Sequence, residues 1–480
     1  MSSAVVVGSG PNGLSCAATL AREGVQVTVL EAAETIGGGA RTSELTVPGL
    51  LHDDCSAVHP MAAGSPCYRA LELSKHGLEW AKPEVDLAHP LDDGSAGVML
   101  RSIEATADGL GGDGTPWRQL FGSSSAHYDE LMEDMLAPLL HVPRHPLRLA
   151  RFGIPAAVPA TLLVRRFATQ RARALFGGIA GHSYARLGWP LSSAIGCALT
   201  VAGHRYGWVV AKGGSQGISD ALASVIGANG GRVETGVRVT SMSELPPADL
   251  TFFDLSPGAV AEIAGDRLPS RVARAYRRFR HGPGAFKLDL AVDGGVPWTN
   301  EACRAAGTVH VIGSFDQLVA AEGDINRGRM PERPFVLVGQ QYLADPQRSN
   351  GDVHPVWAYA HVPRGYAEDA TDVVLRQIER FAPGVRDRIL ASSVRRPGEV
   401  EAYNPNYVGG DIIGGANTPW QLLIRPRLAL DPYSTGIPGV YMCSASTPPG
   451  AGAHGMNGYN AARSALRYLG RAGRAHAERP

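Results

Sequence analysis

An apolar run enters a glycine-spaced turn at the very start of this chain: Ala4-Val5-Val6-Val7, then Gly8-Ser9-Gly10-Pro11-Asn12-Gly13. No other feature constrains the fold as strongly. Gly8 permits a tight turn, Gly10 lets the backbone approach a pyrophosphate, and Gly13 lets the next helix pack closely on the strand. That helix is expected over Leu14 to Glu23, where Leu14, Ala17, Ala18 and Ala21 share one face. The N–H groups at its start, around Pro11 and Asn12, would hold phosphates. A second strand is expected from Val25 to Leu30, ending at Glu31, where a carboxylate can accept hydrogen bonds from a ribose. The six-residue turn alone could be a structural loop. With strand, helix and acid in place, it reads as a dinucleotide-binding β-α-β unit.

NAD and FAD would suit that unit equally. The next segment separates them. Gly37-Gly38-Gly39-Ala40-Arg41-Thr42 follows the second strand. A glycine run ending in arginine can fold back over a pyrophosphate and supply a guanidinium, with Gly38, Gly39, Ala40 and Arg41 at the cofactor. NAD-type domains do not usually need this, so FAD is the expected cofactor.

With 480 residues the chain is long enough for two or three packed domains. Further β-rich segments are expected at Arg232-Val233-Glu234, Val237-Arg238-Val239 and Leu250 to Leu255, after a helix from about Ile218 to Ile226. A strand Gly439 to Cys443 and a helix from about Met456 to Leu469 follow near the C-terminus. The fold expected is α/β: a discontinuous Rossmann-like FAD-binding domain from residues 1–75, 206–270 and 431–480. A mixed α+β substrate domain would fill 76–205 and 271–430, with 135–205 a basic helical region. The formal net charge is zero, which gives no global field for nucleic acid. Six cysteines form no C-x-x-C pair, so neither a dithiol redox motif nor a metal site is suggested. The N-terminus reads as a strand rather than an export signal, and a cytoplasmic location is expected.

The interval 135–219 holds ten Lys or Arg residues, interleaved with apolar ones, and no Asp or Glu. Two readings stay open. One is a helical region facing a membrane surface, making the protein peripheral to the membrane. The other is a helical cap whose arginines are solvated.

The motifs together resemble the phytoene desaturase-like branch of the flavin amine oxidase superfamily. Within it the chain is similar to the group containing pyridine nucleotide-disulphide oxidoreductase domain-containing protein 2 and its bacterial relatives. The matching pieces are Val5 to Gly13, Val29 to Glu31, Gly37 to Thr42, and Asp54 to Pro60. Lys212-Gly213-Gly214-Ser215-Gln216, Tyr403-Asn404-Pro405-Asn406-Tyr407, and Cys443 through Ala462 match further on. Despite the group's name, the missing C-x-x-C argues against disulphide reduction. The resemblance implies that the loop ending at His454 passes the flavin ring. The helix beginning near Gly455, Met456 and Asn457 would then point its N-terminus at the pyrimidine edge, where reduced flavin carries negative charge. It also implies Ser444 beside the ribityl and phosphate region and Val239 beside the adenine.

Only four of the 45 Lys and Arg residues are lysines, and one, Lys287, lies in the strand-like Ala285-Phe286-Lys287-Leu288-Asp289-Leu290. Relatives place a lysine in a similar strand, where it holds a water at flavin N5. Lys can lose its proton when buried, whereas Arg cannot. Lys287 and His454 are therefore the candidate catalytic residues. A solvated strand lysine and a neutral, hydrogen-bonded histidine are the structural alternatives, and the same alternative applies to His59. Tyr403, Tyr407, Trp357 and Tyr359 are either walls of a hydrophobic pocket or core aromatics. The activity implied is dehydrogenation, or desaturation, of a hydrophobic isoprenoid- or carotenoid-like small molecule by two-electron transfer to flavin N5, with oxygen or a quinone as electron acceptor. Amine oxidation is the enzymatic alternative, and a non-enzymatic carrier of lipid or prenyl groups is the alternative of another class.

Overall fold

The computed structural model describes residues 2–138 and 140–477. Leu139 of the basic interval, and residues 478–480 of the segment beginning at 431, lie outside the described residues. The valine-rich β1 (Ser3–Val7) is buried along nearly its whole length. It hands over at Gly8 to α1 (Pro11–Arg22), which opens on a proline whose missing N–H would have had no helical partner. Then comes β2 (Gln26–Leu30). Next are β3 (Val85–Pro90) and β4 (Ala96–Met99). A helical stretch follows: α2 (Tyr128–Met135), α3 (Pro146–Ala157), α4 (Ala160–Leu163), α5 (Gln170–Gly181) and α6 (Ala194–Tyr206). The chain then runs through α7 (Gln216–Ala228), β5 (Arg232–Glu234) and β6 (Leu250–Phe253). After these come β7 (Gly284–Asp293), β8 (Ala306–Val311), β9 (Val336–Gly339), β10 (Val353–Val362), β11 (Ile389–Arg395) and α8 (Pro397–Tyr403). It closes with β12 (Val440–Met442) and α9 (Met456–Ala477).

Five strands make one sheet in the order β12-β6-β1-β2-β5, with every pairing parallel. The strand order reverses at β1, so the crevice beyond its carboxyl end is where an open α/β sheet binds ligands. Helices α1 and α9 lie side by side on this sheet. A Cβ on Gly458 would stand 1.8 Å from Asn12 O, so only glycine lets the two backbones meet this closely. A second, seven-stranded mixed sheet runs β11-β7-β10-β9-β8-β3-β4. Its long strand β7 pairs antiparallel with β10 and β11 and is buried for nine of its ten residues. The fold is therefore α/β, with a Rossmann-type parallel sheet.

One expected strand does not form. Val237-Arg238-Val239 is irregular backbone. Gly236 turns the chain with φ +71°, and Val237 N donates to Glu31 O at 2.8 Å, so the segment crosses the end of β2 instead of extending a ladder. Val239 lies half-buried on this crossing.

Candidate active site

The turn after β1 is built as its glycines require. Gly8 has φ +99° and donates its N–H to Leu30 O at 2.8 Å. A Cβ on Gly13 would stand 2.2 Å from Gly8 O, which ties the helix start to the strand end. Beneath this turn lies an acid that the sequence analysis does not single out. Asp254, just after β6, accepts Gly13 N–H at 2.9 Å, and a Cβ on Gly10 would fall 2.6 Å from its Oδ2. Burial, together with the nearby Glu31 carboxylate, pushes its pKa up to about 7 against the pull of the Gly13 and Gly10 amides.

Glu31 and Arg41 are occupied by protein partners. Glu31 Oε2 accepts from Ser9 N at 2.8 Å and Ser9 Oγ at 2.6 Å, and Oε1 accepts from Ala33 N at 2.9 Å. A carboxylate has about four acceptor positions, so capacity for a ribose hydroxyl is nearly used up in this arrangement. Arg41, the expected pyrophosphate contact, donates Nη2 to Thr35 O at 2.7 Å and Nε to Thr35 O and Ile36 O at 3.2 Å, and Glu31 Oε1 stands 3.5 Å away. The guanidinium here braces its own loop, because burial obliges it to find acceptors. That loop packs on the first one: a Cβ on Gly38 would come within 3.0 Å of Gly10 Cα. Ala40 is fully buried behind it. Tyr403 OH donates to Gly38 O at 2.8 Å, and Tyr407 lies so near Gly39 that a Cβ there would be 1.7 Å from its hydroxyl.

At the C-terminal end, Asn457 Nδ2 donates to Thr447 O at 2.7 Å and Ser444 O at 3.2 Å. His454 is buried, and its Nδ1 accepts Met456 N–H at 3.2 Å. This places the proton of the neutral ring on Nε2 and makes the imidazole a cap for the first turn of α9. Burial pushes its pKa down to about 4. Gly455, with φ +69°, presses on Ser15 of α1, where a Cβ would be 2.2 Å from Oγ. Around these helix starts four buried polar atoms have no hydrogen-bond partner among the described residues: Asn12 Oδ1, Ser15 Oγ, Ser444 Oγ and Asn457 Oδ1. Buried polar atoms are nearly always hydrogen-bonded, so these fit a polar ligand lying across the starts of α1 and α9. A dinucleotide carries phosphates and hydroxyls of the required kind, and the residues present fit it.

A narrow slot adjoins this cradle. It encloses about 10 Å³ of water-accessible space and is bounded by Cys55, Lys287, Trp357, Tyr359, Arg395 and Tyr403, among others. Antiparallel register builds it. Tyr359 of β10, Lys287 of β7 and Arg395 of β11 are direct cross-strand neighbours, and Trp357 pairs with Asp289 in the row beside them. Lys287 and Asp289, two apart on β7, share a face and form a buried ion pair. The Lys287 ammonium also stands 5.2 Å from the centre of the Trp357 ring. Burial drives the Lys287 pKa down, while Asp289 and Cys55 pull it back up. Asp289 Oδ1 lies 3.5 Å from His52 Nδ1, and its Oδ2 has no hydrogen-bond partner. Across the slot, Arg395 pairs with Asp54 at 2.8 Å and stacks 4.6 Å from the Tyr403 ring.

Residues 6–71 match the NAD(P)-binding Rossmann-like domain. The chain is 24% identical over 97% of its length to pyridine nucleotide-disulfide oxidoreductase domain-containing protein 2 of Mus musculus, of which it covers 93%. Among solved structures, putrescine oxidase bound to putrescine aligns with a TM-score of 0.62 and 16% identity, over 98% of this chain and 99% of that one. This is an FAD-type oxidoreductase fold. A shorter stretch, 28% of the chain, is 27% identical to one of the polypeptides of limonene dehydrogenase from Castellaniella defragrans, of which it covers 24%.

Within the oxidoreductase fold, Lys287, Trp357, Tyr359 and Tyr403 come together at the slot, and Tyr407 goes to the glycine loop instead. His454 is not among the slot's lining residues. His59 lies elsewhere too, its Nε2 2.8 Å from Ser215 Oγ, and burial lowers its pKa to about 4. Asp254, Asp289, Asp54 and Arg395 are not singled out in the sequence analysis. Two of them left a signal: Asp254 directly follows a strand as Glu31 does, and Asp289 sits two residues from Lys287.

Proposed function

We propose that this chain is an FAD-dependent dehydrogenase that desaturates a hydrophobic, isoprenoid-like small molecule and passes the electrons to oxygen or a quinone. The observation that carries the reading is the junction at Tyr403. Its hydroxyl bonds the Gly38 carbonyl of the cofactor loop while its ring walls the slot that holds Lys287. Substrate and cofactor sites thereby share a wall. FAD would be held at the Gly10–Asn12 part of the first turn, since the Gly8, Ser9 and Gly13 amides have protein partners, and by the Gly38–Arg41 loop, Ser444 and Asn457. When bound, it supplies the two-electron acceptor for oxidation of a C–H bond.

The chain's own residues bind, dry and set the charge of the site. Aromatic faces of Trp357, Tyr359 and Tyr403 line the slot and exclude water; its space of about 10 Å³ admits a single water, so an apolar body binds only as these faces part to admit it. Lys287 and Asp289 form a buried pair in which a proton can rest on Nζ or pass to a bound water, since burial weakens the hold of Nζ on it. The slot's two cations, Lys287 and Arg395, are each matched by a carboxylate, Asp289 and Asp54, so the lining carries no net charge and suits an apolar body. The name of the limonene dehydrogenase relative, an enzyme called after an isoprenoid hydrocarbon, favours the same substrate class.

The test is anaerobic bleaching of the yellow purified protein across terpene hydrocarbons, polyenes, amines and acyl compounds. Bleaching by isoprenoids and not by amines is the expected outcome. Bleaching by amines alone would transfer the reading to amine oxidation, and a colourless protein without FAD affinity would end it in favour of a carrier.

A further inference from the structure

Helix α3 is apolar on both sides. Phe152 and Ala156 face inward and are buried, while Leu147 and Ile154 on the outer face are 85% and 71% exposed. Val142 just before it is 90% exposed, and Leu140 and Leu162 on either side are also exposed. Apolar side chains on the exposed side of a helix, with Arg151 between Leu147 and Ile154, have the composition of an interfacial helix, and the outer face of α3 has no core to enter. At 12 residues α3 is about 18 Å long, too short for a hydrocarbon layer of about 30 Å. It then bends by 96° into residues 160–166. Among the described residues no single helix is long and apolar enough to cross a membrane.

Among the described residues, the charges around this face that lack an ion-pair partner are all positive. The acids that approach it come from α2 and are already engaged. Glu130 pairs with Arg148, Glu133 with Arg144 at 3.0 Å, and the buried Asp134 accepts the backbone N–H groups of Arg144 and His145 at 2.8 Å. Asp129 is held by Arg69 and Arg205. Arg151, Arg165 and Arg166 are exposed, and among the described residues no carboxylate pairs with them.

We infer that α3 and the turn into α4 lie flat in the interface of an anionic lipid bilayer. Leu147, Ile154 and Val142 enter the acyl boundary, and Arg151, Arg165 and Arg166 meet lipid phosphates. The helical region thereby holds the protein at the phase in which an apolar substrate dissolves.

Flotation of the full-length FAD-bound protein tests this, using phosphatidylcholine vesicles with and without phosphatidylglycerol. The wild type floats with the anionic vesicles at low salt and less so at high salt. Leu147→Ser with Ile154→Ser lowers the partition coefficient about tenfold or more on both vesicle types. Arg151→Gln with Arg165→Gln and Arg166→Gln lowers it about tenfold to a hundredfold on anionic vesicles only. All five positions are exposed, so the melting temperature and bound FAD of both variants stay at the wild-type values. Wild-type protein that remains at the bottom of the gradient at low salt would overturn the inference. So would flotation unaffected by the Leu147/Ile154 pair. A concentration-dependent dimer that this pair abolishes, with no vesicle binding, would assign the face to a second copy of the chain and overturn it equally.

Discussion

Replacing Asp254 with asparagine isolates the cost of keeping a carboxylate under the glycine turn. The side chain is buried, and its pKa rises from 3.8 to about 7. An acid whose folded pKa is raised favours folding only while protonated. Its contribution is therefore intact below pH 3.8 and is lost progressively as pH climbs through about 7. The rise spans about three units at about 1.4 kcal/mol each, so the wild type should lose about 4 kcal/mol across that window. Asparagine has nearly the same shape, and its carbonyl can still accept Gly13 N–H, so the variant should lack this slope. The assay is urea denaturation of both proteins between pH 4.5 and 8.5, following the difference in midpoint instead of either absolute value. The difference should be small at the acid end and should grow in favour of Asp254→Asn toward pH 8. Parallel curves for the two proteins would refute the reasoning, because they would mean that Asp254 titrates as it does in the unfolded chain.

Arg41→Ala removes the brace on the Thr35 and Ile36 carbonyls and should weaken FAD retention by about 1.5–3 kcal/mol, measured by FAD titration of the apoprotein. Lys287→Met leaves Asp289 buried and unpaired, which should cost about 3–5 kcal/mol of stability. Adding Asp289→Asn should restore the melting temperature but not turnover, which separates the fold from the chemistry. His454→Ala removes the acceptor for Met456 N–H and should cost about 1 kcal/mol through the loosened start of α9. The wild-type His454 contribution is intact above pH 6.5 and lost as pH falls through about 4, so the variant should show a shallower acid limb in thermal melts.

The β1-α1-β2 unit was legible because its determinants are local: strand, glycines, helix and acid follow one another within the first 31 residues. Lys287 was legible by rarity, as one of four lysines among 45 Lys and Arg residues. Asp289 could have been read beside it from the two-residue strand period. Long-range pairings left no such trace. Arg395 meets Asp54, and Tyr407 meets Gly39, across more than 300 residues of intervening chain, and only tertiary packing brings them together. Burial was equally hidden. His454 looks like an acid–base residue by its place in a loop, and its role as a helix cap depends on a ring orientation that sequence does not carry. Val237-Arg238-Val239 has strand composition, but Gly236 ahead of it sends the chain across β2.

The order in which the parallel sheet is assembled has a consequence for biosynthesis. β1 and β2 leave the ribosome first, but β12 and α9 belong to the last fifty residues. Until they emerge, β6 is an unpaired edge of Leu250, Thr251, Phe252 and Phe253. An apolar edge of this kind is a template for pairing with another chain. The half of the cradle contributed by Ser444 and Asn457 is missing throughout the same interval. Under the FAD reading proposed above, a nascent chain lacks this part of the cradle until β12 and α9 have been made.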